Sequence, residues 1–585
     1  MTSGGRPPHP WRPAWLDIVA AGFAPGALVG TQLAGLIFFL NPGLPFAFGP
    51  VLRGIAVYGA LVGGASLLVH LPFTWGRRRR ARRWLPWALT LALATAALLD
   101  WTHASTFAYY LPPGINDRLI RTALWLTLGA LIAFYTALLH TLSRRRYGWR
   151  SRYGYVLLAV LSVYAMVERR EAFRPRRGPA PRPAAVESGQ RPRLVVIGID
   201  TATLDAVLPL AGQGKLPFLA SLLEGGAYGR LGSIAPPQRD ALWISLATGK
   251  YPYKHGVTGG RIYPADWLAR GAELRILPVG FAFAKWGTLG RRPSTPRIYQ
   301  RTAAPLWEIL PRLGVPAGIV GWPASGPVSG AAFALSDRFF GGEAEPGSTR
   351  PADLAERARL FRVEPREIDK GVRSRFGPTV PGSLLAALAA DLWREALFVS
   401  LGEQHPEIGA ELLVLPGLRE VSTRSFGGFD AFQFDGARDP ASQAAAARVA
   451  GYYAALDDFL AAVWKAGEGP RVLAVVSACG VARAGGKGIL GLSGRPSLAG
   501  TLEGAPDGVL LLYGEGIRPG ALLTGARLVD LAPTLLYALG FPVARDLDGQ
   551  VLTAAFDRRF LAGHPLTFFP SYDAMAPAAP AAVHE

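Results

Sequence analysis

The fold is decided by residues 193–260, which open RLVVIGIDTATLDAV (193–207) and close APPQRDALWISLATGKYPYKHGVTGG (235–260). Leu194 to Ile199 is an apolar, β-branched run, the pattern of a strand buried on both faces. It ends on Asp200. A carboxylate at the C-terminal end of a buried parallel strand stands where open α/β sheets hold their ligands. Asp200 is therefore the first candidate site residue.

Downstream of this stretch, short β-type runs alternate with Ala/Leu-rich helical ones. Strands are expected at 194–199, 317–320, 412–415, 473–476 and 508–513, and helices at 216–224, 307–313, 384–402, 441–466 and 528–539. That alternation predicts an α/β domain with a mostly parallel central sheet over residues 191–565, followed by an Ala/Pro-rich tail at 566–585.

The upstream third reads differently. Over the whole chain mean hydropathy is positive, at +0.22, and half the residues are apolar. Residues 1–190 hold 22 of the 62 basic residues and 6 of the 42 acidic ones, so most of the +20 net charge lies there. The arginines sit between apolar runs at 15–40, 50–73, 84–99, 119–142 and 153–167. Runs of ~20 apolar residues cross a bilayer, so 14–168 reads as a membrane domain of about five helices after a 13-residue tail, with a Pro/Arg-rich linker at 169–190. The loops at 77–83 and 144–152 are arginine-rich, whereas those at 41–49 and 101–117 lack Lys and Arg. The positive-inside rule then puts the N-terminus in the cytoplasm and the large domain outside the plasma or inner membrane. If 153–167 only lies at the interface, the large domain is cytoplasmic instead. The basic excess is thus topological, and no zinc, helix-turn-helix or RNA-binding signature points to nucleic acid. A single cysteine, Cys479, excludes an intrachain disulfide.

The segment Ala247-Thr248-Gly249-Lys250 with Lys254-His255-Gly256, following Asp200, resembles the type I phosphodiesterase/nucleotide pyrophosphatase branch of the alkaline phosphatase superfamily. Short matches continue in order through Pro305–Leu310, Gly321-Trp322-Pro323, Ser336-Asp337-Arg338, Gly514–Gly520, Val529–Leu536 and Gly540-Phe541-Pro542. The resemblance implies an alkaline phosphatase-like α/β domain using two divalent metals. One metal activates a hydroxyl nucleophile and the other stabilises the leaving oxygen.

It also implies where the site residues fall, and most are replaced. The strand-end Asp, Asp200, is the retained metal ligand. The nucleophile position, nine residues before Thr248, is Arg239. The family's Asp-x-x-x-His pair falls on Arg419 and Thr423, and the Asp-His of its strand-end "SDHG" falls on Ala478 and Cys479. Between Gly500 and Gly508 no His occurs. One carboxylate does not hold a divalent ion against water, and a guanidinium beside it repels one. The expectation is a membrane-anchored pseudoenzyme without a metal cofactor, acting as scaffold, regulator or anion-binding partner of another envelope protein, with Arg239 and Arg419 as candidate anion ligands. The plainer reading of those arginines is that they pair with Asp200, Asp240 and Glu420 and neutralise an abandoned site. Glu420 and Asp430 read as solvated loop acids, His255 as structural, and Cys479 as a buried apolar filler. Ser245 and Ser477 show no His at a spacing that would converge on either. The alternative is an active metal-dependent phosphodiesterase or phosphotransferase with relocated ligands, using zinc or another divalent ion.

Overall fold

The computed structural model describes residues 14–74, 78–143, 149–167, 191–296, 299, 301–341, 347–485 and 497–575. The expected tail at 1–13, the linker at 169–190, the arginines at 77 and 144–146, and the C-terminal tail from 576 onward lie outside the described residues. The chain divides into two units, Met1–Arg174 with Arg261–Pro296, and Pro175–Gly260 with Arg297–Glu585. The division differs from the expected boundary at 191 in one respect: residues 261–296, expected in the α/β domain, pack with the helices.

The first unit contains helices α1 (Ala14–Leu40), α2 (Phe48–Thr74), α3 (Arg78–Thr106), α4 (Pro113–Leu142) and α5 (Trp149–Val167). Among the described residues, four helices of this unit are long and apolar enough to cross a membrane, while the apolar part of α5, Tyr153–Met166, is shorter. Apolar side chains face outward: Leu124, Trp125, Leu128, Leu131 and Ile132 of α4 and Val156, Leu157, Val160 and Leu161 of α5 are exposed. The buried seam is built from small residues, Ala92, Ala96 and Ala97 against Ala130 and Ala133, with Leu28, Leu93, Leu126 and Met166. Gly26 and Gly30 let α1 approach α2, since a Cβ on Gly30 would stand 2.2 Å from the Tyr58 carbonyl oxygen. Close helix contact through small residues is how helices associate where lipid removes the hydrophobic drive. The loop expected at 101–118 narrows to 107–112, because α3 runs on to Thr106 and α4 starts at Pro113. Asp100 does not end the helix. It is wholly buried and accepts a hydrogen bond from the Gln32 amide of α1, which lets the helix carry it inside the bundle.

The second unit is organised on a nine-stranded sheet. Its strands in chain order are β1 (Arg193–Ile199), β2 (Ala227–Leu231), β3 (Ala317–Trp322), β4 (Phe333–Ser336), β5 (Thr349–Arg350), β6 (Ala410–Leu415), β7 (Arg471–Val476), β8 (Gly508–Gly514) and β9 (Ala521–Leu523). They lie in the order β9-β2-β8-β7-β1-β6-β3-β4-β5. The expected strands form the middle, with β7, β1, β6 and β3 mutually parallel and β8 antiparallel beside β7. The short strands β2, β4, β5 and β9 were not expected, because none carries a long apolar run. The expected helix at 528–539 is a 3₁₀ turn, Leu528–Asp530, continuing as the α-helix Leu531–Ala538.

β1 sits at the centre, buried from Leu194 to Ile199. Helix α6 (Arg239–Thr248) packs over it through Trp243. A Cβ on Gly198 would stand 2.5 Å from the Trp243 ring and 2.9 Å from Val414 Cγ2. Trp243 in turn meets Trp322 edge to face, with ring centroids 5.4 Å apart. Gly198→Ala should therefore destabilise the α/β unit by roughly 1–3 kcal/mol through overpacking, read as a lower denaturation midpoint with unchanged helix content in the first unit.

Candidate functional site

The parallel strands point their C-terminal ends at one edge, and Asp200 follows β1 there. Its backbone N–H donates to the Leu415 carbonyl at 3.1 Å, which ties it to the end of β6. Thr201, next in the chain, has φ 72°, a left-handed conformation costly for a β-branched residue. The Asp200 side chain is 1% exposed. Burying a carboxylate this completely requires a partner.

Helix α6 brings that partner. Arg239 is its first residue and donates from Nε to Asp200 Oδ2 at 2.6 Å, with a quarter of its side chain still exposed (25%). Burial opposes the Arg239 charge, but Asp200, Asp337 and Asp240 more than offset it and the guanidinium is held charged. Arg419 comes from helix α8 (Gly417–Phe434), which lies after α7 (Gly382–Gln404), and its Nη1 stands 3.6 Å from Asp200 Oδ2. Thr423, one turn further along α8, donates to the carbonyl of Arg419 at 2.9 Å, so its hydroxyl is taken up by its own helix. Ala478 and Cys479 follow β7, and both are buried. Burial pushes the Cys479 thiol up to about 12, and the Asp200 charge adds to this while Arg419 and Arg239 oppose it. Of the expected site residues, Arg239 and Arg419 converge on the Asp200 carboxylate, and Cys479 is near enough to feel its charge.

Two expectations are corrected. Glu420 and Asp430 lie on helix α8, not a loop, and turn to other partners: Glu420 pairs with Arg424 at 2.6 Å and Asp430 faces Arg483 at 3.8 Å. A His does converge on Ser245. The short helix Pro252–His255 doubles back, and His255 Nε2 lies 2.9 Å from Ser245 Oγ. The pair is nevertheless not a nucleophile and its base. His255 Nδ1 accepts from the Val257 N–H at 3.2 Å, so the ring proton sits on Nε2 and is donated to Ser245, whose hydroxyl donates to the Ala241 carbonyl at 2.9 Å. Burial pushes His255 down to about 3, so it stays neutral and structural.

A second set of groups lies around Arg239, of which sequence reasoning missed Tyr299, Asp391 and Arg394 and gave Asp240 only as a partner of the arginines. Asp240 accepts from the Tyr299 hydroxyl. The Arg338 guanidinium lies over the Tyr299 ring, 5.4 Å from its centroid. Asp337 is raised to about 6, by burial first and then by Asp240, with Arg239 opposing. On α7, Asp391 accepts from the Gly417 N–H at 3.0 Å and from the Tyr452 hydroxyl at 2.8 Å, fixing the start of the helix that carries Arg419. The neighbouring Arg394 lies over Phe340 at 4.0 Å, and burial lowers it to about 10. The signal available beforehand was the Ser336-Asp337-Arg338 match, whose charges point into this cluster.

These residues do not fit a two-metal centre. Such a site needs several converging carboxylates, imidazoles or thiolates, and among the described residues no three His, Cys, Asp or Glu groups converge that way. Asp200 is met instead by two guanidinium groups.

Arg239→Ala should cost about 1–3 kcal/mol of α/β stability by leaving Asp200 buried without its nearest partner, read by denaturant unfolding of the full chain. Asp337 gives a pH signature. Its folded carboxyl is raised to about 6 from 3.8, so the folded chain holds a proton that the unfolded chain has released. The stabilisation this supplies is present at low pH and is lost as pH rises from about 4 to about 6. Wild type minus Asp337→Asn should therefore decline across that window in pH-dependent unfolding.

Comparison with known proteins bears on the same stretch. Residues 194–394 match the family described as type I phosphodiesterase/nucleotide pyrophosphatase. No curated protein matches the chain. Similar solved structures include human ectonucleotide pyrophosphatase/phosphodiesterase 5, at 10% identity and TM-score 0.37, covering 61% of this chain and 97% of that one. The alkaline phosphatase PafA, solved as a mutant, is 12% identical with TM-score 0.40, covering 63% and 100%. Phosphonate monoester hydrolase from Silicibacter pomeroyi is 14% identical with TM-score 0.36, covering 64% and 77%. These likenesses are too distant to carry an activity across. Asp200, Arg239 and the Ala247–Lys250 turn all lie inside the matched stretch, so the similarity to the type I phosphodiesterase/nucleotide pyrophosphatase family covers residues 194–394 of this chain.

Proposed function

We propose that this chain is a membrane-anchored, catalytically inactive relative of the type I phosphodiesterases that works in the cell envelope as a scaffold or regulator of another protein. The observation that carries the reading is the 2.6 Å bond from Arg239 Nε to Asp200. The carboxylate that the family resemblance assigns to a cation is engaged by a guanidinium at the nucleophile position. A divalent ion brought beside it would face Arg239 and Arg419, each repelling it by roughly 8 kcal/mol at about 4 Å and an effective dielectric of about 20. An anion-binding role for Arg239 and Arg419 is the weaker form of the proposal, because an anion there competes with Asp200.

The membrane part of the reading rests on the four long apolar helices and the outward-facing Leu, Ile and Trp side chains of α4. The apolar part of helix α5, Tyr153–Met166, is about 21 Å long, shorter than the ~30 Å of a bilayer's hydrocarbon core. With α5 counted as a fifth span, the N-terminus is cytoplasmic and the α/β unit is outside.

Metal analysis of the purified full chain, with turnover of an aryl phosphodiester, tests the proposal. No stoichiometric zinc and no chelator-sensitive turnover are expected. Bound zinc with activity lost on chelation would establish the opposite reading, an active enzyme with relocated ligands. Arg239→Thr, which restores a hydroxyl at the nucleophile position, should leave turnover at background because Arg419, Thr423, Ala478 and Cys479 still supply no ligand set.

A further inference from the structure

Residues 261–296 interrupt the α/β sequence yet pack in the helical unit. The segment has little regular structure of its own: the two-residue strands Tyr263–Pro264 and Glu273–Leu274 pair with each other, and Phe283–Trp286 makes one helical turn. Its backbone is partly paired within itself, as where Ile262 and Ser294 exchange two hydrogen bonds of 2.9 Å, and the groups left over must find donors and acceptors elsewhere. The helices supply them as side chains. Asn41, just past α1, accepts at Oδ1 from the N–H groups of Arg275 (2.7 Å) and Ile276 (3.0 Å), and its Nδ2 donates to the Ile276 carbonyl at 2.8 Å. From α2, Arg53 donates to the Leu268 carbonyl at 3.2 Å and Tyr58 to the Gly287 carbonyl at 2.5 Å. From α3, His103 Nε2 accepts from the Val279 N–H at 2.8 Å, while its Nδ1 donates to the Leu99 carbonyl at 2.6 Å.

These bonds are shielded. Asn41, Tyr58 and His103 are all buried, and the Tyr58 ring meets Trp267, Phe283 and Trp286 with centroids 5.6, 5.5 and 6.2 Å away. A buried side chain that satisfies backbone groups of a distant segment is costly to strand, so each bond holds that segment in one register. The flanks of the segment have a common point as well. Within the α/β unit, Asp240 accepts from Tyr299 on the far flank, and a Cβ on Gly260 at the near flank would stand 2.4 Å from Asp240 Oδ2. The excursion therefore leaves and re-enters beside the residue that follows Arg239.

We propose that residues 261–296 are a second attachment of the α/β unit to the membrane helices, independent of the 169–190 linker, and that Asn41, Arg53, Tyr58 and His103 form the surface that receives it. The proposal rests on the reading that these helices lie in a membrane. It gives the helical unit a task that a single anchoring span does not perform: holding the strap that starts and ends at the candidate site.

Hydrogen–deuterium exchange of the full chain in detergent reads the docking. In the double variant Asn41→Ala, His103→Ala, peptides covering 272–282 should exchange at least ~10-fold faster than in wild type, with β1 and α6 unchanged. Tyr58→Phe, which keeps the ring and loses only the bond to Gly287, should raise exchange around 283–289 alone and guards against a general loss of fold. Unchanged exchange in both variants would overturn the proposal. Attachment is read with a protease site placed in 169–190 and cut in carbonate-washed membranes. The α/β unit should stay with the membranes when 261–296 is present and be released when a short Gly/Ser bridge replaces it. Release from the cut wild type, or retention without the segment, would overturn it. An uncut chain that itself washes off would instead sink the membrane reading, and the exchange measurement would still decide the docking.

Discussion

One ion pair governs the α/β unit's functional edge. Asp200 is carried to the C-terminal end of the central strand by an unbroken buried run, and at 1% exposure its carboxylate requires a partner there. Arg239 supplies the cation from the first residue of α6, with Arg419 behind it from α8. Everything else at that edge follows from this arrangement. Cys479 stays a thiol because burial and the Asp200 charge together disfavour the thiolate. Asp240 turns to Tyr299, and Asp337, left in low dielectric among other acids, keeps its proton longer than an ordinary carboxylate.

The same rule, that a buried polar group is paired, builds the helical unit. Asp100 stays inside the bundle on the Gln32 amide, and Asn41 and His103 are satisfied by backbone of the 261–296 segment. Small residues bring the helices close enough for such short polar side chains to reach across. The two units thus solve one electrostatic problem with different means, a guanidinium in the sheet and amide or imidazole groups in the bundle.

Much of this was legible beforehand. The period-two and apolar runs from Leu194, Ala317, Leu412, Leu473 and Gly508 announce the sheet because strands buried on both faces need continuous apolar sequence. The short outer strands β2, β4, β5 and β9 lack that run, so nothing local marks them. Glu420 and Asp430 read as loop acids, and no helix was expected over 417–434, because Gly417, Gly427 and Gly428 dilute its helical pattern. The close approach of Ala445 and Leu498 to Gly428 shows why small residues are kept there. At the site, Asp200, Arg239, Arg419, Thr423, Ala478 and Cys479 were all named from position in the chain, and Asp240 as a partner of the arginines, whereas Tyr299 and Arg394 were not.

What the sequence by itself determined is whatever depends on neighbours along the chain: the apolar spans and the strand ending in Asp200. What only the tertiary structure decided depends on distance in space. Charges have no sequence range: the pairing of Arg239 and Arg419 with Asp200 was the plainer reading of the sequence, but which of them is the nearer, at 2.6 against 3.6 Å, became visible only when α6 met β1. The register of 261–296 on Asn41 and His103 is of the same kind, since those hydrogen bonds join residues more than a hundred and seventy positions apart.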